Sequence, residues 1–136
     1  MKKSILLFVV FCVCFIANAQ YNNDVVLEPI LKTDTTSIGQ KIVYPQFTND
    51  EITMMKVIIP PGKSTGWHKH VFPVFAYVLK GTLTVEVENK KTLQFVTGSS
   101  FAEVLNTKHN GKNNGSENVV LIAFFMGEKG KPLSEH

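Results

Sequence analysis

In the stretch GKSTGWHKHVFPVFAYVLKG, residues 62–81, two histidines stand two positions apart, and a β-branched and aromatic run follows them up to a closing glycine. On an extended chain His68 and His70 project from one face with Cα atoms about 7 Å apart, close enough for both rings to reach one ion, while Lys69 points the other way. Outward from this stretch the chain reads as short strands: Ile52–Ile59, Val74–Lys80, Thr82–Glu88, Thr92–Thr97, Ser100–Leu105 and Asn118–Met126. Turn residues separate them at Pro60-Pro61-Gly62, Gly81, Asn89-Lys90-Lys91, Gly98, Asn106 and Gly111 to Gly115. Strands punctuated every 8 to 12 residues or so predict an all-β sandwich or barrel, with no long helix.

Within Thr82–Glu88, Leu83, Val85 and Val87 alternate with Thr82, Thr84, Glu86 and Glu88. The first set is expected to face the core and the second to face water, which makes Glu86 and Glu88 solvated charges. Val119 to Phe125 is apolar almost throughout and is expected to be buried on both faces, in the barrel or against a partner subunit. Upstream the pattern is weaker. Residues 20–50 read as an arm leading into a domain of residues 51–136, with short strands expected at Asp24–Leu27 and Lys41–Tyr44 around the polar stretch Thr33 to Gln40. The tail from Gly127 to His136 is expected to be an exposed end, with His136 inert.

Composition narrows the function. Apolar residues make up 44% of the 136 and charged residues 18%, an ordinary globular balance for a single domain. All 14 basic residues are Lys, so the bidentate guanidinium contacts that serve phosphate and guanine recognition are missing, and nucleic acid is not expected as a partner. Residues 1–19 read as a secretory signal peptide: Lys2 and Lys3, an apolar run from Ile5 to Ala17, and the small-x-small site Ala17-Asn18-Ala19, with cleavage expected before Gln20. The run is too short to span a bilayer, so the protein is expected to be exported, periplasmic or secreted, with no membrane association after cleavage. Cys12 and Cys14 both lie in this segment. The mature chain then has neither disulfides nor thiolate ligands, and its formal charge falls from +3 to +1 with the loss of Lys2 and Lys3.

A third histidine, His109, lies further along, where an adjacent or facing strand of a small barrel would bring it to the ion held by His68 and His70. Glu103 is an isolated carboxylate in the apolar run Phe101-Ala102-Glu103-Val104-Leu105. There it has three open roles: a metal ligand, a group that orients a histidine, or a general base. A solvated outward position is the alternative. Trp67, Phe72, Phe75 and Tyr77 are open between pocket lining and core or subunit interface. For Asn113, capping the loop after His109 is the expected role.

The spacings go further than the residue types. Gly62, His68, His70, Val74 and Gly81 keep the intervals of the first cupin motif, except that Val74 stands at the position of the usual Glu. Gly98, Val104, Asn106, His109 and Asn113 keep those of the second, with Val104 at the usual Pro and Asn106 at the usual Gly. From about Ile52 to Met126 the chain resembles a single-domain cupin, similar to the small secreted bacterial members with a Trp-His-x-His sequence. The resemblance implies a jelly-roll β-barrel, frequent homodimerisation, and a divalent transition metal (Zn, Fe, Mn, Ni or Cu) held by His68, His70 and His109. Three neutral imidazoles without a carboxylate would leave the ion its full charge, suited to acidifying water or accepting an anionic ligand. Two functions stay open at this point. One is a metal-dependent enzyme of oxygenase or isomerase type, with Glu103 as its catalytic proton carrier and a small molecule in the barrel. The other is a non-catalytic module that binds or senses a small ligand beside a vestigial metal site.

Overall fold

The computed structural model describes residues 24–136, and the segment read as a signal peptide lies outside the described residues. Seven strands follow in order: β1 (Asp50–Ile59), β2 (Val74–Lys80), β3 (Thr82–Val87), β4 (Leu93–Val96), β5 (Ser100–Ala102), β6 (His109–Lys112) and β7 (Val119–Glu128). They form a four-stranded sheet, β1-β7-β2-β5, and a three-stranded sheet, β4-β3-β6, with every pairing antiparallel. The expected all-β jelly-roll is the fold observed. Among the described residues no helix is long and apolar enough to cross a membrane.

The core follows from period-two alternation. Val74, Ala76 and Val78 of β2, Leu83, Val85 and Val87 of β3, and Val119, Leu121, Ala123 and Phe125 of β7 are all buried in one cluster. Directly opposed residues of an antiparallel pair share a face, so the register Val74↔Phe125, Ala76↔Ala123 and Val78↔Leu121 puts these side chains on the inner face together. Gly81 links β2 to β3 with φ of +81°, and a Cβ there would lie 3.0 Å from the Asn118 carbonyl oxygen, so the tight turn requires glycine. Asn106, standing at a motif glycine, has φ of +49°, a conformation that Asn tolerates better than most side chains. That substitution therefore keeps the backbone shape of the motif.

Four expectations are corrected. No strand forms at Asp24–Leu27, and Lys41–Tyr44 supplies only an isolated bridge between Lys41 and Thr35, because these stretches find no sheet edge to pair with. The polar part of the arm is anchored instead: Gln40 donates from Nε2 to the Leu105 carbonyl and accepts from the Leu105 amide at Oε1, at 2.8 and 2.9 Å. The turn expected from Gly111 to Gly115 begins later, because Gly111 and Lys112 complete β6, three of whose four residues are buried. β7 is not buried on both faces but alternates, and Phe124 on its outer face is 40% exposed. Finally, Thr84 is buried rather than in water, being on the middle strand of its sheet, whereas Glu86 reaches Lys112 at 2.8 Å.

Candidate metal centre

His68 and His109 form a two-way bridge: each amide donates to the other's carbonyl, at 3.0 and 2.8 Å. Residues opposed in this way carry their side chains on one face, and the two-residue spacing adds His70 to it. The ring centroids of His68 lie 4.9 Å from those of His70 and 4.4 Å from those of His109. Glu103 comes from the neighbouring segment, its amide donating to the Val74 carbonyl at 2.8 Å. Its carboxylate Oε2 lies 3.1 Å from Nε2 of both His70 and His109. Thus a carboxylate is present at the cluster, supplied from the segment hydrogen-bonded to Val74 rather than from Val74 itself.

The other nitrogen of each ring is occupied by backbone. Nδ1 of His68 donates to the Gly66 carbonyl at 2.8 Å, that of His70 to Leu133 at 2.8 Å, and that of His109 to Thr107 at 3.0 Å. A carbonyl can only accept, so each Nδ1 carries the proton and a neutral ring presents its Nε2 lone pair inward. Two such lone pairs 3.1 Å from an anionic oxygen repel unless a proton or a cation stands between them. The four donor atoms lie within 4.8 Å of one another. Ligands at about 2.1 Å around one ion have neighbours about 3.0 to 3.4 Å apart, so the 3.1 Å contacts fit a divalent metal, as does the pinning of each imidazole by a second partner.

Without metal, protons do the same work. Burial alone would raise the Glu103 pKa, but the hydrogen bonds and positive charge of His109 and His70 overcome it and hold the carboxyl at about 2. Burial alone would lower His109, but its bond to Glu103 and that anion's charge raise it above the ordinary 6.5. His68 is lowered, by burial first and then by the charges of His109 and His70. A depressed carboxyl stabilises the fold above its unfolded value of 4.5, and a raised histidine does so below 6.5. The stabilisation from the Glu103–His109 pair is therefore whole between about pH 4.5 and 6.5. It fades as acid protonates Glu103 and as base deprotonates His109. In a proton NMR titration of metal-free protein, His109 is expected to titrate above 6.5 and His68 below it, and Glu103→Gln is expected to bring His109 down. An unmoved His109 in that variant would contradict the pairing.

Beside the cluster lies a cavity of about 390 Å³ whose wall is aliphatic, with Val57, Leu83, Val85 and Leu121 on it. Of the aromatics near His68, none lines it. Trp67 is exposed, Phe72 is buried against Gly127, and Phe75 and Tyr77 lie on the outer face of β2. The lining rings are Phe101 and Phe125 instead. Asn113 caps its loop as expected, donating from Nδ2 to the Ile59 and Glu117 carbonyls and accepting from the Gly115 amide. The tail is largely exposed, as expected, yet it is docked rather than loose. Glu135 pairs with Lys69 through both backbone groups and a 3.1 Å ion pair, Leu133 supplies the carbonyl for His70, and Ser134 and His136 line the cavity. His136 is held through Nδ1 to the Trp67 carbonyl, with its ring 6.4 Å from that of His68. Nothing in the spacing of the sequence points to this tail, because its contribution is mostly backbone.

A family model described as a cupin domain matches residues 55–125. No curated protein is a significant match to the chain. Among solved structures, a cupin-like protein from Thermotoga maritima is 21% identical, with a TM-score of 0.55 over 62% of this chain and 62% of that one. A cupin domain from Bordetella pertussis is 25% identical, with a TM-score of 0.51 over 60% of this chain and 88% of that one. A DMSP lyase from Ruegeria pomeroyi is 14% identical, with a TM-score of 0.52 over 60% of this chain and 41% of that one. The chain thus spans less than two thirds of the length of the first and last of these relatives.

Proposed function

The chain belongs to the cupin family, and from that premise we propose that it is an exported, metal-dependent protein that binds and transforms a small molecule inside its barrel. The observation that carries this reading is the convergence of His68, His70, His109 and Glu103, with three imidazoles pinned at Nδ1 so that their Nε2 atoms face one point. These four residues would hold the ion, with Glu103 as its fourth ligand. When bound, a divalent metal supplies Lewis acidity towards a bound water or a chelating substrate. The chain's own residues fix the imidazole orientation, neutralise part of the ion's charge through Glu103, and exclude water with the aliphatic wall. A vestigial site would have no need of three imidazoles fixed in one tautomer, which favours this reading over a metal-free binding module. Native mass spectrometry with elemental analysis of the mature protein tests it. One Zn, Fe, Mn, Ni or Cu ion per chain is expected, and a protein that holds none after loading and desalting would overturn it.

Export rests on Lys2, Lys3, the run to Ala17 and the Ala17-Asn18-Ala19 site. N-terminal sequencing of exported material is expected to begin at Gln20, and a retained Met1 would refute cleavage. Homodimer formation is supported by the outer face of the larger sheet, where Ile52, Met54, Ile58 and Phe124 are exposed side by side across the β1–β7 register. Light scattering is expected to give a dimer, and Met54→Lys with Phe124→Lys to give a folded monomer. A wild-type mass in that variant would place the interface elsewhere.

A further inference from the structure

Among the described residues the cavity wall contains no Lys and no Arg, and the only carboxylate on it is Glu103. Apart from the donor cluster, its polar side chains are Ser37, Thr65, Ser134 and His136, and the rest of the wall is aliphatic or aromatic with the glycine at 111. Resting on the metal reading above, we infer that the ligand is a compact apolar molecule with a single anionic, metal-binding group at one end, such as a phenolate, an enolate or a hydroxamate.

Charge sets the head group. A divalent ion beside one ionised Glu103 leaves one net positive charge, which one negative charge on the ligand balances. A dianion such as oxalate would bring a second charge with no Lys or Arg on the wall to meet it, only the imidazole of His136, and a poorly paired charge beside an aliphatic wall is disfavoured. A sugar phosphate would add hydroxyls facing Val57, Leu83, Val85 and Leu121, none of which can hydrogen-bond, and unpaired polar groups discriminate sharply against a ligand. Volume sets the body. About 390 Å³ is the liquid share of roughly a dozen waters, enough for one ring or a branched chain. Burying such a body against these side chains is favourable in proportion to its apolar area.

The test compares probes that differ in one property at a time on protein loaded with zinc, with zinc content measured on the same samples. Benzohydroxamate and acetohydroxamate carry the same chelating monoanion, and only the first has an apolar body. By calorimetry benzohydroxamate is expected to bind at least about tenfold more tightly than acetohydroxamate and than oxalate. Val85→Thr, nearly isosteric, places a hydroxyl on the wall and is expected to reduce that preference for the phenyl body several-fold. Protein that retains zinc but binds the two hydroxamates equally, or oxalate more tightly, would overturn the ligand class and leave the metal reading standing. Protein that retains no zinc would overturn the metal reading, and the ligand class with it.

Discussion

Exchanging Glu103 for glutamine is expected to weaken metal binding by at least about 100-fold, the largest effect of any near-isosteric change in the site. Its Oε2 is the only anionic atom among the four donors, and it touches two of the three inward Nε2 atoms at 3.1 Å. The amide keeps the shape but removes the charge that offsets the ion's own, and one of its two ends presents N–H groups where a lone pair is needed. The fold is expected to survive, because glutamine still fills the space and can donate to one Nε2. Competition against a chelator of known affinity reads the change, with circular dichroism as the control for folding. Wild-type affinity in this variant would mean that the three histidines hold the ion unaided and that Glu103 belongs to another task.

The second large effect concerns Val74. It is 1% exposed, lies opposite Phe125 in the register, and packs in the core cluster. Val74→Glu introduces a buried carboxylate into a neighbourhood that already holds Glu103, whose amide is bonded to the Val74 carbonyl. Desolvation and like charge both oppose it, so a loss of about 2 to 4 kcal/mol is expected, with metal as well as without. Combining it with Glu103→Val restores the charge count and is expected to recover part of that loss. Denaturant melts of Val74→Glu, Glu103→Val and the double variant, each with and without zinc, check this. A single Val74→Glu variant that gains stability from zinc more steeply than the wild type would show that the carboxylate position was empty after all.

That pair of residues shows where sequence reading reached and where it stopped. The strands were legible because each carries either clean alternation or a β-branched run between turn residues, and Val74–Lys80 is observed with the bounds expected for it. His68, His70 and His109 were legible as a group through the resemblance of their surroundings to the two cupin motifs. Glu103 was visible as an isolated carboxylate in an apolar run, yet its role depends on the hydrogen bond that sets its segment beside Val74, a contact between positions far apart in the chain. β6 escaped because Asn and Gly signal turns locally, and only pairing with β3 makes them strand. The anchoring of the arm and the docking of the tail escaped because their partners are backbone groups distant in the chain: the Gln40 side chain meets the Leu105 amide and carbonyl, and Glu135 pairs with the Lys69 backbone, neither of which leaves a mark in local sequence pattern.

The tail also fixes an order of events during biosynthesis. The carbonyl that holds His70 in its tautomer belongs to Leu133, 63 residues later in the chain. All four donor residues therefore leave the ribosome before the group that finishes orienting one of them. A nascent chain that already displays His68, His70, Glu103 and His109 still has an unrestrained His70 ring, free to turn either nitrogen towards a passing cation. If the chain holds an ion as proposed, the site with all three rings fixed is complete only once Leu133 has been added and Glu135 has docked on Lys69. Were the chain exported unfolded, as proposed, that moment would fall after transport, and the ion would be drawn from the metals of the destination compartment.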